Sequence, residues 1–137
     1  MNEMLDAVLE YARRGVFVFP VWGIASGCCR CGQAACKSPG KHPIGGLAPN
    51  GFKDATINET TIRAWWTREP HANIATPTTT RVVLDVDPRH GGDETLAELE
   101  RQHGPLPNTP EVLTGGGGRH LHQRKAIVVI SPPRRVP

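Results

Sequence analysis

No stretch of this chain approaches the roughly 20 apolar residues that a membrane-spanning helix needs. The first residues also lack the pattern of a secretory leader. Asp6 and Glu10 interrupt the apolar positions Met4, Val8, Tyr11 and Ala12, which recur at helical spacing. These two absences give the expectation of a cytoplasmic protein with no membrane partner, in a compartment where disulfides are uncommon. Nor is there an excess of one charge. The 16 Lys and Arg face 13 Asp and Glu, for a formal net charge of +3, which excludes charge-driven disorder and is compatible with a nucleic-acid partner without arguing for one. There is no internal repeat.

What is present is punctuation: Gly 15 and Pro 13 in 137 residues, a composition of many turns and short elements within the size of one ordinary domain. A first helix is expected to end at Gly15, followed by a buried strand over Val16 to Val21. From Gly23 to Gly51 no periodicity is visible, so that stretch reads as a long loop, and loops of this length are usually functional or pinned by something. It holds all four cysteines, from Cys28 to Cys36, a spacing too tight for a disulfide framework and natural for a metal knuckle. Asn58 is placed to cap a second helix with Ile62, Trp65 and Trp66 on one apolar face, stopped by Pro70. The tryptophans read as core packing rather than as a base-stacking platform.

Strands are expected at Asn73 to Ala75 and at Arg81 to Asp87, the latter buried by its Val82-Val83-Leu84 run. Asp93 would then cap a third helix with Leu96 and Leu99 facing inward and Gly104-Pro105 closing it. A strand at Val112 to Thr114, a turn at Gly115 to Gly118 and a return strand from Arg119 to Gln123 complete the pass. Strand, helix and strand around Asp85 argue for a mixed α/β (α+β) fold.

Alternate residues of a strand share a face, so Asp85 and Asp87 would project together with Cα atoms roughly 6.5 Å apart. Two carboxylates so placed can converge on divalent cations about 3.5–4 Å apart, as phosphoryl-transfer sites require. Pro88 ends the strand and sets the pair at its C-terminal edge, where open α/β sheets bind ligands. An apolar strand with Asp-x-Asp also begins a dehalogenase-like phosphohydrolase that uses the first Asp as nucleophile, but that family wants Thr or Val soon after, and here Pro88-Arg89-His90 follows. Downstream, the backbone of Gly117 and Gly118 with Arg119 and His120 can contact phosphate oxygens. The turn is not a P-loop, since Lys-Ser/Thr after the glycines is missing. His71, His90, His103 and His122 have no evident partner and read as surface residues.

In order along the chain stand Gly51-Phe52-Lys53-Asp54-Ala55-Thr56, Trp65-Trp66, Ala72-Asn73-Ile74, Val83-Leu84-Asp85-Val86-Asp87-Pro88, Gly91-Gly92, Gly104-Pro105-Leu106-Pro107 and Gly115-Gly116-Gly117-Gly118-Arg119-His120. This ordered set resembles the bifunctional primase-polymerase N-terminal domain of the archaeo-eukaryotic primase superfamily, over most of the chain to about Leu121. The resemblance implies that Asp85 and Asp87 bind Mg2+ or Mn2+ as the first catalytic motif. It implies that His120 contacts the phosphates of the incoming nucleotide as the second. The implied fold is an α/β subdomain on a modified RNA-recognition-like sheet, and the implied reaction is nucleotide addition on a DNA template, with or without a primer. Nucleoside triphosphates, DNA and a helicase or other replication protein are the implied partners, in the replication of a mobile element.

Relatives also carry Cys-x-Cys, a further Cys and Gly-Lys-His-Pro. That likeness implies a structural Zn2+ on Cys29, Cys31, Cys36 and His42, with Cys28 in place of Cys29 as the competing register, in a zinc loop of about 27–43. Lys41 and Lys53 would flank it and contact nucleic-acid or nucleotide phosphates. A different class of function, a non-catalytic zinc module binding nucleic acid or protein, uses the same residues. Departures lie at Thr76-Pro77-Thr78-Thr79-Thr80 and Leu121-His122-Gln123. The expectation is therefore a partial domain over 1–123 and a divergent tail over 124–137, with the third catalytic Asp beyond the chain, an isolated chain of little activity, and Ala126 to Ile130 as an exposed pairing hazard.

Overall fold

The computed structural model describes residues 2–124, which divide into two compact units between Pro77 and Thr78. The run Ala126 to Ile130 and the tail beyond Arg124 lie outside the described residues. Helices and strands are mixed in the way the motif order suggests.

The first unit is organised by two helices. In α1 (Glu3–Arg13) the Asn2 side chain caps the start by accepting from the Leu5 amide, and Gly15 at φ +76° follows the end. In α2 (Glu59–Arg68) Asn58 accepts from the Thr61 amide at 3.0 Å. Each cap satisfies a helix-end donor that has no partner within its own helix. Val8, Leu9 and Ala12 of α1 share one core with Ile62, Trp65 and Trp66 of α2. Trp66 is fully buried, and its indole N–H donates to the Ala72 carbonyl at 3.1 Å, so burial leaves its polar atom paired.

Beside the helices, β1 (Phe19–Val21) pairs antiparallel with β4 (Asn73–Ala75), in the register Phe19 to Ala75. The expected strand from Val16 is shorter, because Val18 leaves β4 and bonds Thr56 instead. The stretch after it is more regular than its composition suggests. A hairpin of β2 (Ile24–Ala25) and β3 (Cys28–Cys29) turns on Ser26 at φ +50° and Gly27 at φ +77°. Positive φ at both turn positions matches the twist of the flanking strands. Gly23 is required on steric grounds, because a Cβ there would lie 2.2 Å from the His71 carbonyl oxygen.

The second unit contains an antiparallel sheet in the order β5 (Arg81–Val86), β7 (Arg119–Arg124), β6 (Glu111–Leu113), and one helix, α3 (Gly92–His103). Three expectations are corrected here. Gly91, at φ +71°, occupies the cap of α3 and Asp93 lies inside its first turn, where its charge still suits the helix dipole. Leu96 is buried with Val86 and Leu121, but Leu99 is 47% exposed. The Val82-Val83-Leu84 run does not bury its strand either, since Val82 is 53% and Leu84 37% exposed. The physical reason is that α3 covers the sheet near Val86, leaving the start of β5 less covered.

Candidate metal and nucleotide sites

The cysteine loop of the first unit brings four donor atoms together. The Sγ atoms of Cys29, Cys31 and Cys36 and a ring nitrogen of His42 all lie within 4.8 Å of one another. Neighbouring residues of a strand point to opposite faces, so β3 can offer Cys29 or Cys28 to this cluster but not both. Cys29 is in the cluster and Cys28 is exposed outside it. His42 Nε2 is 3.5 Å from Cys29 Sγ and 3.4 Å from Cys36 Sγ. A tetrahedral zinc with its usual bond lengths needs sulfur and nitrogen about 3.5 Å apart, so the donor set fits zinc in both softness and spacing.

Backbone bonds hold this loop in place. The Trp22 amide donates to the His42 carbonyl at 3.0 Å and the Ile44 amide to the Pro20 carbonyl at 3.2 Å. From β4, Asn73 Nδ2 donates to the Gly40 carbonyl at 3.1 Å. Nothing in the sequence signals that link across 33 positions. Burial pushes the Cys29 thiol up, but hydrogen bonds from the backbone of Cys31 and Gly40 and the side chains of Cys31 and His42 outweigh it, bringing its pKa from 9.0 to about 6. Cys36 is pushed up by burial, against the Ser38 backbone bond and with the help of its neighbouring thiols. One thiolate thus forms readily and suppresses the next, a repulsion that a bound cation removes. Lys41 and Lys53 are exposed on this same unit, Lys53 in a short 3-10 turn, Gly51–Asp54.

In the second unit the register sets Asp85 of β5 directly opposite His120 of β7. Directly opposed residues share a face, and His120 Nε2 lies 3.6 Å from Asp85 Oδ1. Asp85 remains 69% exposed in its side chain, leaving oxygen lone pairs open. His122, on the same face, is pushed down by burial and by the charges of Arg81 and His120.

Strand β5 ends at Val86, one residue short of Asp87, and Asp87 instead caps the 3-10 turn Pro88–His90. Its Oδ1 accepts from the Arg89 amide and from Arg89 Nε, each at 3.0 Å. Its Oδ2 accepts from Arg89 Nη2 at 3.0 Å and meets His90 Nδ1 at 3.0 Å. Arg89, mainly through its side chain and then its amide, holds the Asp87 carboxyl well below the usual carboxylate range. Asp87 in turn raises Arg89, with a smaller contribution from the charge of Asp85. His90 therefore has a partner that spacing did not reveal. Asp-Pro is a turn signal in which the Asp side chain bonds the backbone two residues on, and that signal points to Arg89.

The paired glycines support this corner. Gly92 passes so close that a Cβ would lie 2.7 Å from both the nitrogen and the oxygen of Asp87. A Cβ on Gly118 would lie 2.7 Å from the Val86 carbonyl oxygen. In the β6–β7 turn the Gly117 amide donates to the Thr114 carbonyl and the Gly118 amide to Thr114 Oγ1, both at 3.0 Å. These two amides are thus engaged within the turn. Arg119 faces away from His120 and pairs with Asp93 at 2.9 Å and Glu111 at 3.7 Å.

Among the described residues no helix is long and apolar enough to cross a membrane. No curated protein and no solved structure matches the chain. A family model does, over residues 8–136, and it runs through the segment that reads as a divergent tail. That family suggests a primase/polymerase-type function and implies DNA and nucleotides as substrates. With that match across nearly its whole length, the chain belongs to the family of the bifunctional DNA primase/polymerase N-terminal domain.

Proposed function

We propose that this chain binds a nucleoside triphosphate and a divalent ion on the β5–β7 face and takes part in template-directed nucleotide transfer to DNA. The observation that carries the reading is the cross-strand pair Asp85–His120 in a chain with this family match. Asp85 and Asp87 would hold Mg2+ or Mn2+, hard ions that prefer carboxylate oxygen. The ion supplies charge neutralisation at the phosphates and at the attacking oxygen. Asp85 fits that role as it stands, because its side chain is 69% exposed. Asp87 fits once Arg89 or His90 releases an oxygen.

His120 orients the phosphate chain by donating a hydrogen bond from Nε2, the atom that faces Asp85. Asp85, directly opposite across the strand pair, lies beside the ring and keeps the ion and the imidazole on one face. Gly117 and Gly118 shape the turn so that phosphate can approach the main chain at Gly115 and Gly116. Arg119 acts indirectly by tying α3 to the sheet through Asp93. Zn2+ on Cys29, Cys31, Cys36 and His42 is structural, since four protein donors leave no open position. Lys41 and Lys53 would contact nucleic-acid phosphates from the first unit.

Equilibrium binding of a non-hydrolysable nucleotide, with and without manganese, tests the reading. The parent should need manganese for tight binding, Asp85→Asn should lose the metal dependence, and His120→Ala should weaken the nucleotide while keeping the ion. Nucleotide affinity equal in all three proteins, or indifferent to manganese, would overturn it.

A further inference from the structure

This inference rests on the reading of Asp87 as a metal ligand. A carboxylate has about four lone-pair positions for its partners. All of those on Asp87 are in use: the Arg89 amide and Nε on Oδ1, and Arg89 Nη2 and His90 on Oδ2. A divalent ion therefore cannot take an Asp87 oxygen until one of these leaves. The Arg89 amide is part of the 3-10 turn and stays. The guanidinium is free to leave, because the Arg89 side chain is 71% exposed. It already stands beside the glycine turn, 3.7–3.9 Å from the place a Cβ on Gly116 would occupy.

We propose that Arg89 serves as the counter-cation of Asp87 until a divalent ion arrives, and then carries its guanidinium to the phosphates at the Gly115 to Gly118 turn. Two cations on one carboxylate repel, so the ion expels the guanidinium. A planar fork that has lost a carboxylate is well matched to a phosphate, which it can grip through two parallel hydrogen bonds. The same side chain thus opposes the ion alone and favours the ion together with nucleotide. Metal and nucleotide then bind cooperatively, each drawing on the movement that the other needs.

The test is a manganese titration, read by the electron paramagnetic signal of the free ion, on the parent, Arg89→Gln, Arg89→Lys and Asp87→Asn. Without nucleotide, Arg89→Gln should bind manganese about two- to fivefold more tightly, the range that an exposed ion pair allows. At saturating manganese the same variant should bind a non-hydrolysable triphosphate about tenfold more weakly, as loss of a charge-assisted pair implies. Arg89→Lys should restore part of both effects. If Asp87→Asn loses manganese while Arg89→Gln matches the parent, the proposal fails and the metal reading stands. If Asp87→Asn keeps the parent's manganese affinity, the metal reading at Asp87 fails and the proposal with it. Tighter manganese with unchanged nucleotide affinity would refute the transfer to phosphate.

Discussion

Removing zinc from the first unit should open the cysteine loop and leave the helices folded. The loop spans Cys29 to His42, and the bonds that tie it to the rest of its unit include Arg30 to Gly23, Trp22 to His42 and Asn73 to Gly40, with Ile44 to Pro20 just past its end. At about 0.5–1.5 kcal/mol each, such bonds contribute only a few kcal/mol. Fixing the backbone of that stretch costs about 1–2 kcal/mol per residue, well over 10 kcal/mol in all. A structural zinc would supply about 10–16 kcal/mol at neutral pH, enough to decide whether the loop is ordered. The apolar core, from Val8 to Ala72, contains none of the cysteines, so α1 and α2 do not depend on the ion. Limited trypsin digestion provides the assay, because Arg30, Lys37 and Lys41 all lie in or beside the loop. Chelator should expose these sites to cleavage while helical circular dichroism changes little, and the Cys31→Ser, Cys36→Ser double variant should be cleaved without chelator. Protein purified without added metal should carry near-stoichiometric zinc. Unchanged protection after chelation, or equal zinc in the double variant, would refute the argument.

The remaining expectations concern packing. Trp66→Ala should destabilise the chain by about 3–5 kcal/mol, and Trp66→Phe by about 1–3 kcal/mol because the Ala72 carbonyl loses its donor, both read from urea unfolding. A loss below about 1 kcal/mol for Trp66→Ala would contradict the core described here. Gly118→Ala should cost about 1–3 kcal/mol and weaken manganese binding, since its Cβ would press on the Val86 carbonyl 2.7 Å away. Gly45→Ala, with nothing within 4 Å of its Cβ, is the control and should be neutral in both measurements.

Much of this protein follows from local rules that sequence alone can express. Asn58 and Gly15 bound their helices because capping is a matter of nearest neighbours. The spacing of Ile62, Trp65 and Trp66 marks a buried face, and the family that the ordered motifs from Gly51 to His120 resemble is the one whose model matches residues 8–136. Only tertiary structure decided the rest, because it depends on residues far apart in the chain or on the exact ending of an element. Strand alternation placed Cys29 in the cluster and Cys28 outside it, which cysteine spacing could not do. Asn73 reached Gly40 through the pairing of β1 with β4. Cross-strand register brought Asp85 to His120 and turned Arg119 away. The early end of β5 handed Asp87 to Arg89 and His90. A pattern of alternate residues assumes that a strand continues, and here the strand stops at Val86, so the second carboxylate follows the turn.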